Sequence, residues 1–231
     1  MEFIKQNMLI TGASSGIGLG LAKSLYEQGA RNLTLTGRDL GRLEQKAAGL
    51  GHLVACNQAN IVDVNQLCDD LKADGSPLVV VANVGINPTA DFGIKKLQNT
   101  PVTSIEAALT VNVTHTIAML SKLIVAMKGA RFGRIVLVGS QAYLHGIPGQ
   151  LGYNVSKAAL VGLKNTIVQE YGKAGVFCHL VNPGLVENER TALVRKRNPN
   201  VQTIPQQLVV DTIIDALLID DAAQNGQEIN I

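Results

Sequence analysis

The sequence has few aromatic residues and few cysteines. Among its 231 residues, aromatic side chains make up 3%, tryptophan is absent, and the three cysteines stand at positions 56, 68 and 178. The core must therefore be built from aliphatic side chains. The odd number of cysteines, with no Cys-x-x-Cys pair, argues against a disulfide framework and favours a reduced, cytoplasmic location.

The sequence also lacks an excess of charge of one sign, and it lacks long hydrophobic runs. The formal net charge is +2 and no basic stripe stands out, so we expect no nucleic-acid partner. The longest apolar runs, such as residues 78–82, have the length of strands, so we expect neither a membrane span nor a membrane partner. A glycine-rich motif starts at Gly12, before an apolar stretch long enough for a signal peptide, so we expect no signal peptide. We also expect no metal.

Short apolar runs alternate with longer segments of helical periodicity along the whole chain. Strand–helix alternation at this spacing predicts one doubly wound α/β domain of the Rossmann type over residues 1–231, with a mostly seven-stranded parallel sheet and helices on both faces. The pattern predicts strands at residues 7–11, 32–36, 52–56, 78–82, 134–138, 176–181 and 226–231, and helices at 17–28, 40–48, 64–73, 104–127, 153–173 and 204–218.

One irregular stretch, residues 185–203, interrupts this alternation. A loop or short helix there is a candidate substrate loop. Its basic residues, Arg190, Arg195, Lys196 and Arg197, could attract an anionic substrate, although a solvated surface patch is the simpler interpretation.

A glycine-rich segment follows the first predicted strand and opens the first predicted helix. In a doubly wound sheet this is the place of a phosphate-binding turn. Its glycines allow a tight turn and a close approach to a pyrophosphate, and the N–H groups and dipole of the helix start favour an anion. The segment therefore predicts dinucleotide binding by Gly12, Ser14, Ser15, Gly16, Ile17 and Gly18.

The end of the second predicted strand indicates which dinucleotide binds. An acidic residue there accepts hydrogen bonds from the ribose of NAD, but Thr36 and Gly37 occupy this position. Arg38 follows, and its guanidinium can pair with the 2′-phosphate of NADP. Asp39 is the contrary signal, which we interpret as a cap of the next helix. The alternative for Arg38 is a surface pair with Asp39 or Glu44, and we predict NADP(H).

Tyr153 and Lys157 lie four residues apart on a predicted helix, so their side chains share one face. A nearby ammonium lowers the high pKa of a tyrosine and eases proton exchange at neutral pH. Ser140 follows the end of a predicted strand, where its hydroxyl can hydrogen-bond a substrate oxygen. Each residue alone has an ordinary explanation, as a surface residue or a turn residue. Together, after a nucleotide-binding turn, they favour catalysis.

These motifs resemble those of the short-chain dehydrogenase/reductase family over essentially the whole chain. The matching elements are TGASSGIG at 11–18, ANVG at 82–85, VNV around Asn112, Ser140, YNVSK at 153–157 and NPG at 182–184. The resemblance implies an oxidoreductase that transfers hydride between a nicotinamide and a carbonyl or alcohol. It also implies a catalytic tetrad of Asn112, Ser140, Tyr153 and Lys157.

In that tetrad Tyr153 exchanges the proton and Ser140 orients the substrate oxygen. Lys157 lowers the tyrosine pKa and holds the nicotinamide ribose, and Asn112 anchors a water in a proton relay. A helix-interior amide that satisfies backbone groups is the other interpretation of Asn112. The resemblance places further cofactor contacts at Asn60, Ile61, Asn83, Gly85, Pro183, Gly184 and Val186, besides Tyr153 and Lys157.

The chain departs from the family pattern at two cofactor contacts. Asn60 stands where the family usually has aspartate, and its amide oxygen can still accept from the adenine amino group. The contact to the nicotinamide carboxamide falls on Asn188 or Thr191, depending on the register after the NPG motif.

The substrate is a small carbonyl or alcohol compound that the sequence does not identify. Its expected contacts are Ser140, Gln141, His145, Gln150 and Tyr153. Family resemblance predicts a homodimer or homotetramer that packs through the helices at 104–127 and 153–173. Two alternatives stay open: an NADP(H)-binding regulator without catalysis, which the complete tetrad argues against, and a dehydratase or epimerase of the same fold.

Overall fold

The computed structural model describes residues 2–188 and 191–231, so Arg190 of the basic segment lies outside the described residues. In this part of the chain, strands β1 to β9 are Met8–Ile10, Leu33–Gly37, His52–Ala55, Val79–Ala82, Gly133–Val138, Val176–Asn182, Val186–Glu187, Ile204–Pro205 and Glu228–Asn230. Helices α1 to α10 are Gly16–Glu27, Leu40–Ala47, Ile61–Ala73, Thr89–Phe92, Val102–Leu109, His115–Ala130, Ala142–His145, Leu151–Tyr171, Ala192–Arg197 and Gln206–Leu218.

Seven parallel strands form the central sheet in the order β3-β2-β1-β4-β5-β6-β9. Met8 of β1 pairs with Leu33 on one side and with Val79 on the other. The strand order therefore reverses between β1 and β4. At such a reversal the loops after the two strands separate and open a crevice, which is where ligands bind in doubly wound sheets. The predicted fold is confirmed.

Successive residues of each strand pack into two different aliphatic cores. Met8 and Ile10 belong to the core under α1 and α10, whereas Leu9 belongs to the core under α3, α6 and α8. This alternation follows from the two-residue period of a strand. Because both faces of the sheet are covered by helices, the central strands β1, β4 and β5 are apolar at most positions.

The helix predicted at residues 104–127 is interrupted in the structure. A π-helical turn, Thr110–Thr114, separates α5 from α6. The buried side chain of Gln58 donates from Nε2 to the Val111 carbonyl at 3.3 Å and to the Thr116 hydroxyl at 2.9 Å. A side chain that enters the helical ladder in this way supports a local widening of the helix.

The combined helix from Val102 to Ala130 is long and apolar enough to cross a membrane by length and composition alone. Half of its most apolar window is buried within the fold. Its side chains Met119, Leu120 and Leu123 belong to one of the two cores of the sheet. Burial of this kind identifies it as a core helix.

Two short parallel strands, β7 and β8, pair with each other at the two ends of the segment 185–203. Val186 of β7 pairs with Ile204 of β8, and α9 lies between these strands. The predicted loop or short helix is therefore present. The last long helix starts at Gln206 rather than at the predicted residue 204, because residues 204 and 205 pair with β7.

Candidate active site

The glycine-rich turn between β1 and α1 leaves little room for side chains. Gly12 and Gly16 have φ angles of 70° and 55°, in the left-handed region that favours glycine. A Cβ on Gly18 would lie 2.5 Å from the Gly12 carbonyl oxygen. Asn83, just after β4, donates from Nδ2 to the Thr11 carbonyl at 3.0 Å and so braces the turn. The cofactor contact predicted for Asn83 stays a prediction.

A cavity of about 710 Å³ opens beside this turn. Asp39 accepts the main-chain N–H of Arg42 at 3.0 Å, which confirms it as the cap of α2. In the described part of the chain Arg38 forms no ion pair with Asp39 or Glu44. Cationic and hydroxyl side chains that could hold an anion line this cavity beside the carboxylates Glu27 and Asp39; they include Ser14, Ser15, Lys23, Arg38 and Lys46.

Tyr153 and Lys157 lie one turn apart on α8, as the spacing predicts. The Lys157 ammonium is 5.7 Å from the centre of the Tyr153 ring and donates to the Val138 carbonyl at 2.8 Å. Lys157 is 4% exposed, so its charge is held close to the protein interior. A Cβ on Gly85 would lie 3.0 Å from this ammonium, so glycine keeps that space open.

Ser140 follows β5 and is fixed by two hydrogen bonds. Its main-chain N–H donates to Asn182 Oδ1, and its Oγ accepts the N–H of Ala142, both at 3.2 Å. Because Oγ acts as an acceptor toward the backbone, its proton is left to donate elsewhere. The geometry therefore suits a donor to a substrate oxygen. Asn182, the first residue of the NPG motif, is fully buried and positions it.

Asn112 lies in the π-helical turn, and its side chain forms three hydrogen bonds. Its Oδ1 accepts the N–H of Ile86 at 2.8 Å, and its Nδ2 donates to the Ile86 carbonyl at 3.0 Å and to Ser156 Oγ at 2.8 Å. These bonds join the segment after β4 to α8. The backbone-satisfying role is thus present, and the proton relay stays a prediction.

The family model described as short chain dehydrogenase matches residues 6–201. The chain belongs to the short-chain dehydrogenase family. It is an oxidoreductase of that family, and the predicted family and enzyme class are confirmed.

Two relatives match most of the length of this dehydrogenase. The 3-oxoacyl-[acyl-carrier-protein] reductase MabA of Mycobacterium avium is 31% identical over 84% of this chain and 72% of its own length. Nodulation protein G of Rhizobium sp. (strain N33) is 32% identical over 82% of this chain and 77% of its own length.

Two solved structures carry NADP. A 3-oxoacyl (acyl-carrier-protein) reductase from Agrobacterium tumefaciens C58 with NADP bound has a TM-score of 0.87 at 20% identity, and the match covers 100% of this chain and 95% of that one. A short chain dehydrogenase from Burkholderia cenocepacia J2315 in complex with NADP has a TM-score of 0.82 at 26% identity, with coverages of 99% and 96%.

A narrow cleft beside Tyr153 on the dehydrogenase contains some of the predicted substrate contacts. Gln150 and Tyr153 line it, together with residues between β4 and α5. His145 lies exposed at the end of α7 and does not line the cleft, and its substrate contact stays a prediction. Gln141 donates from Nε2 to the Ile231 carbonyl at 2.9 Å, which ties it to the residue after β9.

The side chains predicted to contact the adenine and the carboxamide form hydrogen bonds with the backbone of the dehydrogenase itself. Asn60 caps α3, because its Oδ1 accepts the N–H of Val62 at 3.1 Å. An adenine contact of Asn60 would use the second lone pair of that oxygen. The Thr191 hydroxyl hydrogen-bonds the Val186 and Asn188 carbonyls, whereas Asn188 lines the large cavity.

The remaining predicted cofactor contacts of the dehydrogenase lie at strand and helix ends. Ile61 is 39% exposed at the start of α3, and Val186 is 6% exposed in β7. Gly184 donates its N–H to the Ile231 carbonyl at 2.7 Å, and the Pro183 carbonyl accepts the N–H of Gln141 at 3.0 Å. These contacts stay predictions.

An ion pair between the buried Lys164 and the exposed Glu228 of the dehydrogenase was not predicted. Lys164 donates to Glu228 Oε1 at 2.9 Å, and the Tyr143 hydroxyl donates to Glu228 Oε2 at 2.8 Å. The hydrogen bond from Lys164 holds the pKa of the Glu228 carboxyl below its usual value, and burial, with Glu228, raises the pKa of Tyr143. The group links α7, which follows Ser140, to β9. Lys164 lies seven residues after Lys157, so a helix places both lysines on the same face. This spacing was the sequence signal that could have pointed to the ion pair.

Proposed function

We propose that this dehydrogenase uses NADP(H) to interconvert a carbonyl and an alcohol, with Tyr153 as general acid and base. The observation that carries the proposal is the Tyr153–Lys157 pair on α8, with the ammonium 5.7 Å from the ring centre. Asn112, Ser140, Tyr153 and Lys157 form the tetrad. The substrate is a small molecule.

The glycine-rich turn and the adjoining cavity fit a dinucleotide. Gly12 and Gly16 adopt conformations that favour glycine, and Gly18 has no room for a side chain. Arg38 and Ser14 line the cavity where a 2′-phosphate would be held. When bound, the nicotinamide would supply or take up the hydride at the carbonyl carbon. NADP in the two structural neighbours supports this choice.

The residues of the chain itself would handle the proton. In reduction the Tyr153 hydroxyl gives its proton to the substrate oxygen, and in oxidation the phenolate takes it back. Lys157, held by the Val138 carbonyl, stabilises negative charge on the phenol oxygen. Ser140 donates a second hydrogen bond to the same substrate oxygen as its charge develops. Asn112 supports the path by which Tyr153 regains its proton.

The other candidate activities predict different products. A binding protein without catalysis would leave NADPH unchanged, and the complete tetrad argues against it. A dehydratase or epimerase would convert substrate with no net consumption of NADPH. A panel of carbonyl compounds, followed by the loss of NADPH absorbance and by product analysis, distinguishes the three. We expect stoichiometric formation of alcohol and NADP, and conversion without NADPH loss would contradict the proposal.

Arg38→Ala should weaken NADPH binding by on the order of 1.5–3 kcal/mol, as expected for a charge-assisted hydrogen bond. NADH lacks the 2′-phosphate, so its affinity should not change. Titration of the wild type and the variant with both cofactors measures this. Arg31→Ala is the matched control, because Arg31 lies over the Tyr26 ring and does not line the cavity. Equal or tighter NADH binding by the wild type would contradict the assignment.

We expect a dimer or tetramer at micromolar concentration. Ile117 and Val125 on α6 are 41% and 69% exposed, and Val155 on α8 is 43% exposed. Ala158 and Gly162, also exposed on α8, allow another helix to approach closely. Light scattering should therefore give a multiple of the chain mass, and Val125→Glu should lower it. A wild type that is only monomeric would contradict this prediction.

We place the protein in the cytoplasm. The three cysteines are free and buried. Burial, with a smaller contribution from Asp63, raises the pKa of the Cys56 thiol to about 11, so this group is unreactive at neutral pH. Free, protected thiols suit a reducing compartment.

A further inference from the structure

Asn87 and Gln150 meet in the cleft that contains Tyr153. Asn87 lies between β4 and α4, and Gln150 immediately precedes α8. The Asn87 Nδ2 donates to Gln150 Oε1 at 2.7 Å, and both side chains are half-buried. The two residues are far apart in the sequence, so the fold brings this pair together beside the reacting tyrosine.

The backbone determines how both amide groups are oriented. The main-chain N–H of Thr89 donates to Asn87 Oδ1 at 3.2 Å. A main-chain N–H can only donate, so the oxygen of Asn87 must face it. Asn87 therefore points its NH₂ group toward Gln150, and the side-chain oxygen of Gln150 accepts this hydrogen bond.

This orientation leaves the NH₂ group of Gln150 as a donor at the cleft. In residues 2–188 and 191–231, no protein acceptor pairs with Gln150 Nε2. The reacting oxygen of a carbonyl substrate already has the hydroxyl groups of Ser140 and Tyr153 as its donors. A third donor, in the cleft that Tyr153 lines, therefore fits a second acceptor on the substrate.

We propose that Asn87 is a positioning residue that makes Gln150 a hydrogen-bond donor to the substrate, which carries an acceptor oxygen besides the reacting carbonyl. The proposal rests on the proposed function of Tyr153. A substrate without the second acceptor would cover the Gln150 amide and leave it unpaired. Sites built to hydrogen-bond a substrate group discriminate strongly against analogues that lack it, for this reason.

The test compares ethyl acetoacetate, which has an ester carbonyl beside its ketone, with 2-heptanone, a ketone of matched chain length. Gln150→Met keeps the side-chain length and removes the donor. We expect the ratio of kcat/KM for the two compounds, with NADPH, to fall by roughly 10- to 100-fold. Intrinsic reactivity of the two compounds cancels when the ratio in the variant is compared with that in the wild type.

Asn87→Asp tests the positioning role separately. The introduced carboxylate still accepts the N–H of Thr89, but it offers Gln150 only an acceptor. Gln150 should then turn its NH₂ toward this carboxylate and expose its oxygen, so the ratio should fall as in Gln150→Met. Gln66→Met, at an exposed glutamine of α3 that pairs with Asp70, should leave the ratio unchanged. A ratio within one preparation does not depend on the fraction of folded protein.

The outcomes separate this inference from the proposed function. If no carbonyl compound oxidises NADPH with the wild type, the proposed function is wrong. If the wild type is active but both variants keep the wild-type ratio, Asn87 and Gln150 do not recognise a second acceptor and only the inference is wrong. A carbonyl panel in which the wild type prefers compounds without a second acceptor oxygen would also overturn it.

Discussion

Replacing Tyr153 by phenylalanine should lower turnover by roughly two to four powers of ten, the range expected for a general acid–base residue. The substitution keeps the ring that lies 5.7 Å from the Lys157 ammonium and removes the hydroxyl group with its transferable proton. Turnover is measured with any accepted carbonyl compound at saturating NADPH. The affinity for NADPH, measured by titration, should barely change, because the glycine-rich turn and Arg38 are untouched.

Tyr171→Phe provides the matched control on the same helix. Tyr171 ends α8 and packs against the aliphatic core, away from the cleft. Its loss of a hydroxyl should leave turnover within experimental error of the wild type. If Tyr153→Phe also keeps wild-type turnover, a different group transfers the proton and the assignment of the tetrad is wrong.

The sheet could be predicted because its strands are marked by local signals. The strand predicted at residues 134–138 is observed as Gly133–Val138, and its neighbours agree within about two residues at most ends. Strands that are buried on both faces are apolar runs bounded by glycine, asparagine or proline, and this pattern is visible without any knowledge of the fold.

The π-helical turn could not be predicted from helical periodicity. Residues 102–130 have a continuous apolar pattern, and the interruption depends on Gln58, which reaches the Val111 carbonyl from 53 residues away. The short helices α4 and α7 were not predicted either, because four residues span one turn and give no measurable period.

The residue pairs of the candidate site also differ in how well the sequence could predict them. Tyr153 and Lys157 are four residues apart, so a helix prediction alone brings them together. The bonds from Asn87 to Gln150 and from Tyr143 to Glu228 span 63 and 85 residues. Such pairs depend on the order of strands in the sheet and on the path of each connection. Residue types could suggest Gln150 as a substrate contact, but the orientation of its amide follows only from the hydrogen bond with Asn87 that the fold brings about.

Acid should destabilise this protein through His179. This residue lies on β6, is 1% exposed, and its Nδ1 accepts the N–H of Gln227 at 3.3 Å. Burial, with Arg134 and Lys164, lowers its pKa from 6.5 to about 4. Between these values the unfolded chain binds a proton that the folded chain does not, so stability falls as the pH falls. The free energy of unfolding should decrease by roughly 3 kcal/mol across this window.

Urea unfolding at about pH 7 and about pH 4, at one fixed protein concentration, measures this loss. His179→Gln keeps an acceptor for the Gln227 N–H but cannot bind a proton, so its stability should fall by roughly 3 kcal/mol less than that of the wild type. His52→Gln, at an exposed histidine of β3, should lose as much as the wild type. Equal losses in the wild type and in His179→Gln would show that His179 is not the acid-sensitive group.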